Sequence, residues 1–257
     1  MNLNKTLSVA AVAALLLLTA RLPAQAKSDA YPHMAPVASY LMPRAAEIAL
    51  ARSAAPPAVS DHATVLVLTP QGYVTAAQGS NGFVCFVERS WDSPFDAPTF
   101  WSPHIRGANC VNPPAARSVL PYFLLRTQLA LAHRSQAEIL AGVRAALAAH
   151  RLPRLEPDAV SFMLSKHSYL TNSGGNLAHV MFYVPSVAPA ELGAGLPGSP
   201  LDVAGHLDAA PITVVIVATG QWSDGSIDGR GTPSGFAAFR ADLAHSANGA
   251  APASGRA

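Results

Sequence analysis

The sequence predicts an α+β domain in which helices pack on an antiparallel sheet of about six strands. Two observations support this fold class. Six short apolar runs, rich in β-branched residues, are separated by turns that contain glycine, proline or asparagine. Before the first run, and again between the third and the fourth, the chain instead carries signals for helix starts. The predicted element order is therefore α-β-β-β-α-α-β-β-β.

The strands are predicted to form two groups and a final single strand. The first three should form an antiparallel meander, because only short turns separate them. The fourth and fifth should form a hairpin around the turn at Asn172–Gly175. The last should lie at the centre of the sheet, because it is the most apolar segment after the N-terminal region. The predicted strands cover residues 63–69, 73–77, 83–89, 159–170, 177–184 and 212–219.

Three helices are predicted between and before these strands. The first covers residues 43–53 and has proline in its first turn. The second covers about 115–132 and should break at Pro121, because a proline ring inside a helix clashes with a carbonyl of the preceding turn. Ser135–Glu138 has the spacing of a capping box and should begin the third helix, which ends near residue 150.

Both ends of the chain are predicted to lie outside the domain. Lys5, the uncharged apolar run 7–20 and the small residues at 24–26 follow the order of a secretory signal peptide. We therefore expect cleavage after Ala26 and an exported protein, either periplasmic or secreted. The predicted organisation is a signal peptide at 1–26, one α+β domain at 27–246 with a short last helix at 234–244, and a disordered tail at 247–257.

The charge balance argues against a nucleic-acid or membrane partner. The chain has 17 basic and 15 acidic residues, and removal of Lys5 and Arg21 with the signal peptide leaves 15 of each. A formal charge near zero does not attract phosphates or anionic lipids over long distances. We therefore expect no nucleic-acid partner and no membrane association after signal cleavage, and the oligomeric state is left open.

The chain has two cysteines, Cys85 and Cys110. In an exported chain an even number of cysteines indicates disulfide bonding, because the compartment is oxidising. The alternative is a pair of buried free thiols. We expect a Cys85–Cys110 bond that spans the segment between the two residues.

Three segments of the chain resemble a known group of sequences. They are GFVCFVERSW at 82–91, FW at 100–101 and NPPAARSVLP at 112–121. These segments are similar to a family of exported bacterial proteins described only as hypothetical, and the resemblance covers most of the chain after the signal peptide. It implies export but no activity, cofactor or residue role.

Motifs for catalysis and for cofactor binding are absent or incomplete. The sequence has no G-x-S-x-G elbow, H-E-x-x-H helix, P-loop or C-x-x-C pair. Gly193–Gly198 matches G-x-G-x-x-G, but Pro197 lies inside the match and no predicted strand precedes it, which favours a loop. Asp224–Gly229 resembles half of a calcium loop, but its twelfth position is Gly235, which favours a simple turn. The sequence therefore indicates no cofactor and no metal site.

Two histidines, His167 and His179, flank the turn of the predicted hairpin. A loop of residues 171–175 would place them opposite each other, whereas a loop of 172–175 would place them on opposite faces. Facing imidazoles could hold a metal or exchange protons. The alternative is two ordinary strand histidines, one buried and one exposed.

The segment 88–106 is the predicted ligand site. It combines aromatic, acidic and basic side chains without any regular periodicity, and a long irregular segment in a compact domain is often functional. The competing interpretation is that a disulfide holds the loop and that its aromatic rings pack as core. The residues expected to contact a ligand are Trp91, Asp92, Trp101, His104 and Arg106.

Two classes of function fit these observations. The first is an exported domain that binds a small molecule or has a structural role. The alternative is an exported hydrolase in which Glu88, Asp92 or His104 acts as an acid–base group.

Overall fold

The structure of the protein is a computed structural model that describes residues 31–171, 175–206, 210–230 and 238. The predicted signal peptide and C-terminal tail lie outside the described residues, as does the predicted helix at 234–244 apart from residue 238. Among the helices that the structure describes, none is long and apolar enough to cross a membrane.

The described residues form a mixed α+β fold around one eight-stranded sheet with the order β2-β1-β3-β4-β5-β6-β8-β7. Strands β1 and β3 are parallel, and every other neighbouring pair is antiparallel. The strands are β1 (Thr64–Thr69), β2 (Gly72–Ala77), β3 (Val84–Glu88), β4 (Gly107–Val111), β5 (Val160–Met163), β6 (His179–Pro185), β7 (Leu201–His206) and β8 (Ile212–Ala218).

Five α-helices accompany the sheet within the described residues. They are α1 (Arg44–Arg52), α2 (Pro57–Ser60), α3 (Pro113–Ser118), α4 (Leu120–Leu131) and α5 (Gln136–Ala148). The predicted helix at 115–132 is two helices, and Pro121 lies in the first turn of the second one, where its missing N–H costs no hydrogen bond. Ser135 and Glu138 form the predicted capping box at the start of α5.

The predicted meander of the first three strands is wrong. β1 and β2 do form the predicted hairpin, but β3 pairs with β1 on its other edge, with Thr64 opposite Val84. The connection from β2 therefore crosses the start of β1, and the backbone N–H of Ser80 donates to the carbonyl of His62. Gly79 makes this crossing possible, because a Cβ there would lie 2.2 Å from the backbone nitrogen of Thr64. β3 is the more apolar strand, and this arrangement gives it two neighbours while the more polar β2 takes the edge.

The sequence analysis also missed two strands and extended a third too far. β4 lies between the predicted ligand segment 88–106 and the predicted helix at 115–132, and β7 lies between the predicted strands 177–184 and 212–219. The strand predicted at 159–170 ends at Met163. β8 pairs on both sides, with β6 and β7, but it is second from the sheet edge rather than central. β4 and β7 were missed because neither forms a long apolar run in the sequence. Pairing with neighbouring strands holds both of them in the sheet.

The disulfide between Cys85 and Cys110 is confirmed. The two residues are directly opposite each other in the antiparallel β3–β4 pair, and their Cα atoms are 3.9 Å apart. This is closer than the usual range of about 4.4–6.8 Å for bonded cysteines. The bond therefore cross-links β3 and β4, the two strands that the predicted ligand loop connects.

Helices cover parts of both faces of the sheet. On one face α1 packs on β1, β3 and β4 over a small core that includes the disulfide, Val65 and Val87. On the other face α3 packs on β4 and β5, and α4 lies against β2 with α5 packed outside it. This second face holds the largest core, with Phe86 and Phe123 at its centre. Because side chains alternate along β3, Glu88 points to the same face as Phe86.

We expect reduction of the disulfide to weaken the fold without abolishing it. Closing a loop of 25 residues should contribute about 3 kcal/mol to the free energy of unfolding on the chain-entropy model. Urea unfolding of the oxidised and the reduced protein measures this difference. Two thiols titrating in the native, unreduced protein would show that the bond is not formed.

Candidate functional site

The predicted ligand segment 88–106 consists of the last residue of β3 and the loop 89–106 between β3 and β4, here called the aromatic loop. Its two ends meet where Glu88 lies opposite Gly107 in the β3–β4 ladder. The loop begins with a 3-10 turn at Ser90–Asp92 and contains no longer element. A second short pairing, between Arg106 and Tyr169, holds its returning end.

A buried ion pair fixes the first residue of the aromatic loop. Arg89 Nη2 lies 2.7 Å from Glu47 Oε1, and the side chains are 0% and 1% exposed. Glu47 Oε1 also accepts the backbone N–H of Leu68 at 3.1 Å, and Arg89 Nε donates to the carbonyl of Tyr40 at 2.8 Å. Arg89 Nη1 donates to the carbonyl of Val87. These contacts join α1, β1, β3 and the N-terminal segment at one point.

The largest aromatic rings of the loop belong to the core. Trp91 and Phe100 are fully buried, and Trp101 is 5% exposed. The indole N–H of Trp91 donates to Thr127 Oγ1 on α4 at 3.0 Å, so its polar atom is also satisfied inside the protein. Trp91 therefore does not present a surface to a ligand, and the competing interpretation of the loop as packed core applies to this residue.

An open cavity of about 760 Å³ lies on the outer side of the aromatic loop. Phe95 and Trp101 form its loop side, and the turn between α4 and α5 forms the opposite side. Its volume falls within the range of about 300–1,000 Å³ that small-molecule sites occupy. The remaining lining residues are Pro32, His33, Met34, His133, Arg134, Ser135, Gln136, Ala137, Glu138 and Leu140.

His104 and Arg106, which the sequence predicts as ligand contacts, lie at the returning end of the aromatic loop. Neither lines the cavity. His104 is exposed, with its ring edge-on to Tyr31 at 6.3 Å between centroids. Arg106 donates to the backbone carbonyls of Ser39, Pro103 and Ile105, and burial lowers its pKa to about 10. Its guanidinium therefore joins the end of the loop to the N-terminal segment.

The carboxyl groups of Glu88 and Asp92 lie at the start of the aromatic loop, in residues that are only partly exposed, and Asp92 Oδ1 itself is buried. Glu88 ends β3, and Asp92 ends the 3-10 turn, where its Oδ2 accepts the backbone N–H of Arg89 at 3.1 Å. Burial, and then the charge of Asp92, raise the pKa of Glu88 to about 8. Burial also raises the pKa of Asp92 to about 6, although Arg126 opposes this shift. Burial therefore favours the protonated form of both carboxyl groups, and more strongly that of Glu88.

Polar side chains from three strands and a helix surround this carboxyl pair. Asn109 on β4 is fully buried and donates its Nδ2 to Glu88 Oε1, which lowers the pKa of Glu88 in opposition to burial. The same amide lies beside the hydroxyl of Tyr183 on β6, which is 3.1 Å from Ser161 Oγ on β5. Burial raises the pKa of Tyr183 well above its ordinary value.

Arg126 on α4 separates the carboxyl pair from the cavity. Its guanidinium lies 4.2 Å from the ring centroid of Phe95, which lines the cavity, and it donates to the carbonyl of Ser93. Its charge lowers the pKa of both Glu88 and Asp92. The aromatic loop thus has two polar environments, one on each side of Arg126.

The sequence analysis named Glu88 and Asp92 but missed Arg126, Asn109 and Tyr183. These three residues lie on α4, β4 and β6, far apart in the sequence, and no local motif brings them together. Asn109 offered the only local signal, as a polar residue directly before Cys110.

The two histidines of the predicted hairpin do not face each other. His179 lies opposite Met163 in the β5–β6 pair, whereas His167 is exposed in the chain beyond β5. His179 is buried with its Nδ1 2.6 Å from the carbonyl of Leu177, and burial lowers its pKa. Among the described residues no group of three or more His, Cys, Asp or Glu side chains could hold a metal ion.

The segment at Asp224–Gly229 is a turn whose carboxylates already have protein partners. Asp224 pairs with Lys166, and Asp228 accepts the backbone N–H of Ala178 at 2.8 Å. Lys166 and Ser226 lower the pKa of Asp224, which stabilises its ionised form. The segment thus ties the chain after β8 to β6.

No protein-family model, curated protein or solved structure matches this chain. The resemblance to exported bacterial proteins drawn from the sequence therefore stays a prediction.

We expect loss of either partner of the buried ion pair to destabilise the protein strongly. The substitution Arg89→Met leaves Glu47 as an unpaired buried charge, which typically costs about 3–5 kcal/mol. The matched control is Arg134→Met, because the Arg134–Glu138 pair is more than half exposed and such pairs contribute about 0–1 kcal/mol. Urea unfolding compares the two, and equal losses would contradict a special role for the buried pair.

The carboxyl pair should make the protein less stable as the pH rises. The raised pKa of Glu88 means that the folded state holds its proton more tightly than the unfolded state, whose ordinary value is 4.5. This contribution is complete below pH 4.5 and is lost as the pH rises through about 8. The substitution Glu88→Gln removes the ionisation, so relative to wild type it should gain on the order of 3 kcal/mol between pH 4.5 and 9.

Urea unfolding at several pH values measures this gain. Glu156→Gln is the control, because the side chain of Glu156 is partly exposed and its pairing with Arg117 lowers its pKa, which gives a pH effect of opposite sign. A difference between wild type and Glu88→Gln that does not change with pH would contradict the assignment.

Proposed function

We propose that the protein is an exported small-molecule-binding domain and that its ligand occupies the cavity beside Phe95 and Trp101. The observation that carries this proposal is the cavity itself, which has the volume of a ligand site and is lined by aromatic rings on one side. Its aromatic wall comes from the loop that the sequence analysis selected for ligand binding.

Contacts within the protein hold the aromatic wall of the cavity in place. The hydroxyl of Tyr40 donates to the carbonyl of Trp101 at 2.7 Å, and the ring of Trp101 meets Phe100 edge-on at 4.7 Å. Phe95 is held between Phe100 and the guanidinium of Arg126. A pre-ordered wall favours binding because less conformational entropy is lost when the ligand is bound.

The opposite side of the cavity is polar. It contains the exposed side chains of His133, Arg134 and Glu138 at the turn before and within the first turn of α5. Met34 and Leu140 add apolar surface beside them. This combination favours a ligand that has a flat apolar part for the aromatic wall and a polar end for the α4–α5 turn.

Two observations support export. The N-terminal 26 residues have the sequence of a signal peptide, and the chain carries a disulfide of the kind that oxidising compartments permit.

We expect filling of the cavity to weaken ligand binding strongly without loss of stability. Ala137 lines the cavity and is exposed on α5, so Ala137→Trp adds bulk there and removes no core contact. A fluorescence titration with 8-anilinonaphthalene-1-sulfonate, which has a flat apolar part and an anionic end, measures binding. The affinity should fall by about tenfold or more, with little change in Tm.

The matched control is Ala145→Trp, on the same helix and also exposed but outside the cavity lining. It should bind the dye as the wild type does. Equal binding by Ala137→Trp and wild type, or no binding by the wild type, would overturn the proposed location of the site.

A further inference from the structure

The face of the sheet that carries α1 continues well beyond that helix. α1 packs on β1, β3 and β4, whereas β5, β6, β8 and β7 extend the sheet further on the same side. Side chains alternate between the two faces of a strand, and those of Met163, Met181 and Ile216 belong to the large core on the opposite face. Their neighbours along each strand therefore lie on the face of α1.

This half of the face is apolar and partly open. Phe182 on β6 is 42% exposed, and the residues of the adjacent row are partly exposed. Contiguous apolar surface on a folded protein commonly marks a place where another element or a partner packs. The open sheet face, as we call it, consists of Phe162, Val180, Val217 and Leu201 in one row across four strands and of Phe182 and Val215 in the next row.

The chain passes residue 230 at one end of the open sheet face. Trp222 packs in one apolar cluster with Phe162 and Val180. The guanidinium of Arg230 lies 5.5 Å from the centre of the Trp222 ring, and its Nε is 3.3 Å from Asp228 Oδ1. These contacts hold Arg230 beside Trp222, so the residues that follow it begin next to the open sheet face.

The 27 residues after Arg230 contain an amphipathic stretch. At 3.6 residues per turn, Phe236, Phe239 and Leu243 share one side of a helix. Ala238, the one residue of this stretch that the structure describes, is helical and exposed. It lies on a different side of the helix from the three apolar residues. A helix with Ala238 toward solvent would therefore present its apolar side to the protein.

We propose that the predicted helix at 234–244 docks on the open sheet face through Phe236, Phe239 and Leu243. The lengths agree with this placement. The linker 231–233 can reach about 10 Å, and a helix over 234–244 is about 16 Å long. The axes of four adjacent strands span about 14 Å. The helix would thus cover on this half of the sheet what α1 covers on the other half.

Tethering favours this segment over a separate partner chain. A segment joined to its docking surface by a short linker binds with an effective concentration in the millimolar range or above, which a free partner rarely reaches. The open sheet face also consists of apolar residues alone, so it offers no charge that would select a partner. A short apolar helix of the same chain meets both conditions.

Nuclear magnetic resonance on the chain from residue 27 to residue 257, with labelled valine and leucine methyl groups, tests the proposal directly. Ring protons of Phe239 should give Overhauser cross-peaks to the methyl groups of Val180 or Val217. Phe239→Leu should remove these cross-peaks, which assigns them to that ring.

Thermal unfolding gives an independent readout with a matched pair of variants. Phe239→Asp places a charge on the docking side of the helix and should lower Tm by on the order of 5 °C. Ala238→Asp introduces the same charge one residue away, at an exposed position, and should change Tm by less than about 2 °C. If Phe239→Asp does not fold, the cross-peaks of the wild type decide the outcome.

Three results would overturn the proposal. The first is the absence of cross-peaks between Phe239 and the sheet in the wild type. The second is an equal change of Tm in Phe239→Asp and Ala238→Asp. The third is that the cross-peaks arise between a labelled and an unlabelled copy in a mixed sample, because a second copy of the chain would then cover the open sheet face.

Discussion

The buried ion pair between Arg89 and Glu47 is the interaction on which the rest of the structure depends. One guanidinium contacts a carboxylate of α1 and the backbone of the N-terminal segment and β3, while that carboxylate also holds the backbone of β1. Removing two charges from water costs free energy. The close contact between the two side chains and their hydrogen bonds to the backbone offset this desolvation penalty. These contacts hold Arg89, the last residue before the 3-10 turn, in place. Helix, sheet and loop are fixed relative to one another by this one contact rather than by their apolar surfaces alone.

From that fixed point the aromatic loop can hold two different environments. Its large rings are buried as core, which leaves Phe95 and the edge of Trp101 to face the outer cavity. Its carboxyl group at Asp92 turns inward to Glu88. Arg126 lies between the two, stacked on Phe95 and close enough to the carboxyl pair to lower the pKa of each member. A substitution of Arg126 would therefore alter both environments, and variants that probe one of them are best made elsewhere.

The sequence predicted those features that depend on residues close together in the chain, and it failed for features that depend on contacts between distant elements. The capping box at Ser135, the apolar run of β8 and the Cys85–Cys110 bond could all be inferred, because each depends on residue types at short spacing or on the compartment. The parallel pairing of β1 with β3 could not, because it depends on the crossing at Gly79. β4 was missed because its position depends on pairing with β3 and β5, which no local sequence pattern indicates. In the candidate site, Asp92 and Trp101 were named from the loop itself, whereas Asn109, Arg126 and Tyr183 come from other elements.

The crossing at Gly79 also determines which strand covers the second edge of β1. The hairpin of β1 and β2 is complete once residue 77 has been made, but the free edge of β1 stays open until β3 arrives on its far side. An open edge of this kind can pair with another chain. The disulfide lies between β3 and β4, so it links the strand that covers β1 covalently to the next strand of the sheet. In an oxidising compartment, the disulfide that joins the two ends of the aromatic loop therefore also helps to keep the second edge of β1 covered.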